Sequence, residues 1–263
     1  MKKWLKRITV TLVSAYIALI TFIYVAQESM IFVPDVVTEI HQYTFKSDVE
    51  DVWLNREDGA KLHAVRFNKG GEKGIVLYFH GNAGNNGRSE SMAETFTNLG
   101  YEVVGIDYRG YGKSRGEKSE AAMLEDTEFF YDKMMRNRTD KPIIVGWSLG
   151  TVFAGHLASV RPAKQVILFA PMASALDIAK RRYPFLPEFI GNYPFRTDLK
   201  FSSIEAPVTI YHGQQDTIVP YASGILLKNY FKGSDRFIGV EEADHDSIPW
   251  EPSVLKDINY LLN

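Results

Sequence analysis

Five short stretches of the chain are apolar almost without interruption: GIVLYFH, EVVGIDY, PIIVGW, QVILFAP and APVTIYHG. Runs of this length, rich in Val and Ile, are typical of strands buried on both faces of a parallel sheet. Segments of helical character alternate with them, over residues 88–99, 120–138, 149–160, 222–231 and 253–262. Ahead of the first run, DVWLNRED and KLHAVRFN alternate apolar and polar positions and are joined at Asp58-Gly59. Alternation around Asp-Gly predicts an antiparallel hairpin. A hairpin feeding a β-α-β-α series predicts an α/β domain, with a mostly parallel central sheet and helices on both faces. Residues 172–205 break the rhythm with several prolines and the aromatics Tyr183, Phe185, Phe189, Tyr193, Phe195 and Phe201. A connection this long predicts a small cap over one end of the sheet. An ordinary long connection that packs its aromatics on the core is the alternative.

The N-terminus has a different texture. MKKWLKR carries four cations, and residues 8–26, ITVTLVSAYIALITFIYVA, carry no charge. Nineteen helical residues would span roughly 28 Å, close to the hydrocarbon thickness of a bilayer. Cleavage after Ala26 would put Tyr24 at the −3 position, where a signal peptidase expects a small residue. An uncleaved signal anchor is therefore preferred over a cleaved signal peptide. A buried soluble helix fits least, because no face of the segment is charged or strongly polar. Four cations precede the run, and only acidic charges follow it in QESMIFVPDVVTE. By the positive-inside rule the N-terminus stays in the cytoplasm, and the remaining domain lies on the extracytoplasmic side. The division expected is an anchor and exit segment over residues 1–33 and the α/β domain over 34–263, with the cap at 172–205.

Composition narrows the chemistry. The 263 residues carry a net charge of −2, which gives no pull toward nucleic acid, and no basic stripe interleaves with aromatics. There is no cysteine, which excludes disulfides, thiolate catalysis and cysteine metal sites. No G-x-x-x-x-G-K-[ST] occurs, so a phosphate-cradling loop has no support.

What remains is VGWSLGT, where Ser148 stands between Gly146 and Gly150. The pattern G-x-S-x-G arises by accident about once in ten chains of this length, so context decides. Here a buried strand leads into the serine and a helix-forming run follows at once, as a nucleophile elbow requires. A side chain at either glycine would collide with the neighbouring strand or helix, and the new helix aims its N-terminal amides at the reacting centre. A serine nucleophile needs a base oriented by an acid. Of six histidines, only His245 lies beyond Asp216, which itself sits just past the end of the strand VTIYHG. His156 falls within a helix, and His212 precedes any acid of its region. Asp244 and Asp246 flank His245 and are expected to be solvated loop acids. Asp177 and Asp198 fall in the cap, and Asp107 is expected to stabilise a turn, with Arg109 as partner. The glycine-rich loop YFHGNAGN can present backbone amides to a developing oxyanion. Asn82 is the first choice and Ala83 the second, together with the amide of Leu149 after the serine; the side chains of Asn82 and Asn85 would hold the loop.

With HGNAGN, DYRGYGKSRG, GWSLG, HGQQDTIVP and ADHD in this order, the chain resembles the α/β-hydrolase superfamily. It is most similar to the single-pass, membrane-anchored branch described as serine aminopeptidase-like or acyl-protein-thioesterase-like. The resemblance runs from about Phe32 to the C-terminus. It implies Ser148 as nucleophile, Asp216 as acid, His245 as base, and Asn82 with Leu149 as amide donors. Trp147 departs from the commonest elbow, where histidine is frequent; it either shapes the pocket or packs against the sheet. The implied chemistry is acyl transfer to water from an ester or thioester, without metal or organic cofactor, on a small-molecule or lipid-like acyl substrate. A peptidase or amidase of the same fold and a catalytically silent binding protein are the alternatives. For the orientation the outcome is direct: protease added outside intact spheroplasts digests the domain. Full protection until lysis overturns that orientation.

Overall fold

The computed structural model describes residues 2–263. In chain order the strands are β1 (Val33–Pro34), β2 (Val49–Asn55), β3 (Lys61–Phe67), β4 (Ile75–Phe79), β5 (Ala83–Gly84), β6 (Glu102–Ile106), β7 (Ile143–Trp147), β8 (Gln165–Phe169), β9 (Val208–Gly213) and β10 (Arg236–Val240). The helices are α1 (Lys2–Ile31), α2 (Glu90–Thr97), α3 (Glu120–Met135), α4 (Gly150–Val160), α5 (Ala175–Arg182), α6 (Thr197–Phe201), α7 (Tyr221–Leu226) and α8 (Pro252–Leu262). The expected hairpin is β2–β3, antiparallel from Val49 opposite Phe67 to Asn55 opposite Lys61. All five apolar runs are strands. The helix expected at 222–231 is shorter, because after Leu226 the backbone tightens into a 3₁₀ turn over Leu227–Tyr230.

Eight strands form one sheet in the order β10-β9-β8-β7-β4-β6-β3-β2, parallel from β10 to β6 and antiparallel at β3 and β2. Period-two side-chain alternation divides each central strand between two cores. Ile75, Leu77 and Phe79 of β4 face the layer of α3, α4 and α6, where Phe130, Phe153 and Phe201 are buried. Val76 and Tyr78 face α2 and α8, against Phe96 and Ile258. A strand buried on both sides has no polar face to show, which is why these runs lack alternation. The order reverses at β4, which lies between β6 and β7. In open α/β sheets the crevice outside the carboxyl ends at such a switch point is where ligands bind. The loop after β4 and the turn after β7 therefore meet there.

The 172–205 segment divides between the two readings its length allowed. Tyr193, Phe195 and Phe201 are buried in the core, whereas α5 buries no residue and Tyr183, Phe185 and Phe189 are exposed. One half anchors the connection and the other stands over the sheet as a cap.

The helix α1 extends about 45 Å at 1.5 Å per residue, with most of its apolar side chains exposed. Its exit segment is part of the fold. Phe32 is 4% exposed and meets Tyr111, Tyr193 and Phe195 edge-on, and β1 pairs in parallel with β5 in the glycine-rich loop. Truncating Phe32 leaves a void among three aromatic rings. Phe32→Ala is expected to destabilise the domain by about 3–5 kcal/mol, read by urea unfolding of the full chain in detergent.

Candidate active site

The turn after β7 is set by close packing. A Cβ on Gly146 would stand 2.6 Å from Gly150 O, and one on Gly150 would stand 2.0 Å from Phe79 O. Between them Ser148 has φ +53°, a left-handed backbone that a non-glycine residue holds only when its surroundings enforce it. They do so here: Ser148 N donates to Phe169 O at 2.9 Å, and Thr151 Oγ1 donates to Ser148 O at 2.6 Å. The strained turn lifts the hydroxyl out of the sheet toward the crevice.

Two further loops arrive at that hydroxyl. His245, after β10, places Nε2 2.9 Å from Ser148 Oγ. Its Nδ1 lies 2.7 Å from Asp216 Oδ2. Asp216, after β9, is fixed by its other oxygen, which accepts from the amides of Ile218 and Val219 at 2.9 and 2.8 Å. Burial alone would raise the Asp216 carboxyl. Hydrogen bonds from His212 and His245, with the Val219 amide, outweigh it and hold the group well below the usual carboxylate range. Asp216 is therefore an anion beside the imidazole. His212, which its place in the chain leaves without a role, is fully buried on the far side of this carboxylate. Its Nε2 is 3.4 Å from Asp216 Oδ2 and 3.0 Å from Val219 O.

The glycine-rich loop runs alongside. A Cβ on Gly81 would sit 3.7 Å from the Ser148 Cβ, so this backbone borders the elbow directly. The backbone amides of Asn82 and Leu149 donate to no protein acceptor among the described residues. The side chain of Asn82 ties the loop to the end of α1: Nδ2 donates to Ile31 O at 2.6 Å, while Oδ1 accepts from Tyr111 at 2.7 Å and from Val33 N at 3.3 Å. Asn85 holds the loop as expected, accepting from Gly87 N and donating to Asp35 O. Ala83 belongs to β5 and is paired with Val33.

The remaining candidates lie elsewhere. Asp244 and Asp246 are exposed, and Asp244 caps its own turn by accepting from Asp246 N and Ser247 N. His156 lies between Glu128 and Lys200, while Asp177 pairs with Arg181 and Asp198 with Arg196. Trp147 does not line the groove beside Ser148. Its ring stacks on His245 and its Nε1 donates to His245 O at 3.3 Å, so it steadies the histidine loop.

The expected pairing of Asp107 with Arg109 is wrong. Arg109 forms a fork with Asp126 at 2.6 and 2.9 Å and reaches Asp58. Asp107 is wholly buried at the end of β6, accepts from Asn86 N at 2.8 Å, and lies 3.4 Å from both His63 Nδ1 and His80 Nε2. His63 in turn bonds Asp51 at 2.7 Å. This network sits beneath the glycine-rich loop, and its partners come from β2, β3, β4 and β6. No short-range pattern announces it.

A groove of about 350 Å³ adjoins Ser148. Ser148, Leu149 and Asn82 border one end, and Met172, Leu176 and Ile190 of the cap segment and Ile23, Met30 and Ile31 of α1 form its walls. Its lining is mostly apolar, with Gln27, Asn82, Ser148 and two tyrosines as polar side chains and Arg182 as the one charge among the described residues. No carboxylate lines it among the described residues.

Comparison with known proteins follows the same lines. A family model described as serine aminopeptidase, S33, matches residues 70–203. The chain is 31% identical to an uncharacterized protein of Mycobacterium tuberculosis over 255 residues, covering 92% of this chain and 90% of that one. It is 33% identical to the lysophosphatidylserine lipase ABHD12 of Danio rerio over 175 residues, 58% of this chain and 46% of the lipase. The chain thus matches about half the length of that relative. The fold superposes on an esterase of Pyrococcus furiosus with a TM-score of 0.72 at 19% identity, covering 88% of this chain and 97% of the esterase. The chain belongs to the S33 serine aminopeptidase family and, with it, to the α/β-hydrolase superfamily.

The buried network makes a pH-dependent contribution. Burial would raise the Asp107 carboxyl, but the bonds to His63, His80 and the Asn86 amide lower it below its ordinary value. A carboxylate so depressed stabilises the fold above its unfolded pKa of about 3.9 and loses that contribution as pH falls through its folded value. Asp107→Asn is expected to cost about 1–3 kcal/mol near neutral pH. The gap from the parent should narrow steadily in urea melts taken below about pH 4.

Proposed function

We propose that the chain is a membrane-anchored serine hydrolase that cleaves a carboxylic ester or thioester of a lipid-like acyl substrate. The observation that carries this reading is the unbroken chain from Ser148 Oγ through His245 to Asp216, opening onto an apolar groove. In this reading Ser148 Oγ attacks the acyl carbonyl while His245 Nε2 takes its proton. Asp216 holds the imidazole in the tautomer whose Nε2 is free to accept and stabilises the imidazolium that results. The amides of Asn82 and Leu149 donate to the oxyanion of the tetrahedral intermediate. The intermediate collapses, and His245 returns the proton to the departing alcohol or thiol. Water, deprotonated by the same histidine, then releases the acid and restores Ser148.

The groove favours acyl over aminoacyl substrates. An aminopeptidase must neutralise a substrate ammonium, and a buried cation needs a partner, yet no carboxylate lines this groove among the described residues. The lipase and esterase activities named for the relatives support the ester reading. Residues 1–33 act as anchor and exit, residues 34–263 as the hydrolase domain, and 172–205 as its cap. The uncharged run of α1, preceded by cations, is the basis for a single-pass anchor with the domain on the extracytoplasmic side.

A fluorophosphonate probe tests the chemistry. The parent labels and Ser148→Ala does not. Turnover of a short ester falls on the order of 10⁶-fold in Ser148→Ala and roughly 10⁴-fold in Asp216→Asn. A folded, intact parent that neither labels nor turns over would establish a silent binding protein instead. A panel of aminoacyl, thioester and ester substrates, blanked with Ser148→Ala, ranks the acyl classes.

A further inference from the structure

The groove beside Ser148 is not enclosed by the hydrolase domain alone. Ile23, Gln27, Met30 and Ile31 of α1 form one of its walls, opposite Leu176 and Leu186 of the cap segment. Gln27 clamps the two walls together: its Nε2 donates to Ile190 O at 3.2 Å, and its Oε1 accepts from Asn192 N at 2.7 Å. Farther along the same helix, Tyr16 donates its hydroxyl to Phe185 O at 2.9 Å.

That last contact sets a depth. Tyr16 lies near the middle of the uncharged run of residues 8–26. Between Tyr16 and Ala26 the helix rises about 15 Å, half of a hydrocarbon core of about 30 Å. If the run spans a bilayer, the loop after α5 reaches into the leaflet on the domain's side. The loop is suited to that place. Phe185 is 53% exposed and Phe189 86% exposed, with Tyr183 beside them. A backbone carbonyl in hydrocarbon needs a donor, and Tyr16 supplies one to Phe185.

Resting on the hydrolase reading above, we propose that α1 is a wall of the acyl site as well as a tether. The groove takes one acyl chain directly from the leaflet in which the cap loop is immersed. Its direction matches that of a lipid in place. The reacting end, at Ser148, adjoins Ile31 and Asn82 near the domain end of α1, and along α1 the lining extends back as far as Ile23, in the direction of the bilayer centre. A membrane lipid enters sideways, carbonyl at the interface and tail inward, without being turned or lifted through water.

The first test does not depend on turnover. The chain has no cysteine, so Phe189→Cys accepts a single fluorophore, with Lys141→Cys, exposed two residues before β7, as control. In phosphatidylcholine vesicles the label at 189 should be quenched by doxyl-acyl lipids and shielded from aqueous iodide, and the label at 141 the reverse. Iodide quenching equal at both positions overturns the proposal whether or not the chain is a hydrolase. The second test fills the groove. Ile23→Trp should lower the ratio of C16 to C4 monoacyl ester kcat/KM at least tenfold in vesicles. Val25→Trp, on a 76% exposed position outside the groove lining, should leave the ratio within twofold of the parent. A ratio unmoved by Ile23→Trp, or moved equally by both, overturns the role of α1. Failure of the hydrolase reading shows separately, as a parent without Ser148-dependent C4 turnover.

Discussion

One backbone contact determines how the site is assembled. Gly150 passes so close to the end of β4 that only hydrogen fits at its Cα, with Phe79 O where a Cβ would be. That approach locks the start of α4 against β4 and forces Ser148 into its left-handed turn. It also brings the glycine-rich loop after β4 alongside the serine. The nucleophile and amide donors of the proposed mechanism are thus not positioned independently. Both follow from two adjacent parallel strands at the point where the sheet order reverses, and strain at Ser148 is the cost of the arrangement. The proposed acid and base come from farther along the sheet. β8 separates β7 from β9, and β10 lies beyond, so Asp216 and His245 must reach back across the carboxyl edge. Trp147 and His212 brace that reach, one from beneath the histidine loop and one behind the carboxylate.

The sequence displays what depends on neighbours along the chain. A strand buried on both faces must be apolar at every position, so β4, β6, β7, β8 and β9 stand out as runs. The hairpin turn needs Asp58-Gly59, and Gly59 adopts φ +88°. The glycines of the elbow are readable because their steric role follows from a strand running into a helix. What the sequence hides is the matching of polar partners across strands. Asp107 reads as a loop acid beside Arg109, although its real partners, His63 and His80, are 44 and 27 residues away. Arg109 likewise finds Asp126 on α3, which no local pattern marks. The role of His212 is hidden for the same reason, since it depends on how the chain after β9 folds back over it.

The same limit explains α1. By composition residues 8–26 read as a helix facing lipid, and most of that surface is exposed in the fold. Yet three polar residues in and just after the run reach the domain. Tyr16 bonds the cap loop, Gln27 the segment around Ile190, and Glu28 pairs with Lys118 and accepts from Tyr193. An isolated polar side chain on an otherwise apolar helix is costly in lipid unless it has a partner. By that rule Tyr16 and Gln27 mark, in the amino-acid pattern itself, the face of α1 that docks.

Docking of α1 has a consequence for the chemistry that a flexible tether would not. Ile31 O, at the end of the helix, accepts from the side chain of Asn82, and β1 extends the connection into β5. The loop whose amides face the oxyanion in the proposed mechanism is therefore held partly by α1. Oxyanion donors act through preorganisation, since a donor that must move when charge develops loses much of its effect. A domain cut free at residue 33 would keep Ser148, His245 and Asp216, whose contacts lie among themselves and with β7–β10. It would lose the carbonyl that fixes Asn82, together with one wall of the groove. In this architecture the distinction between α1 and the α/β domain is one of sequence texture, and the candidate active site lies across their junction.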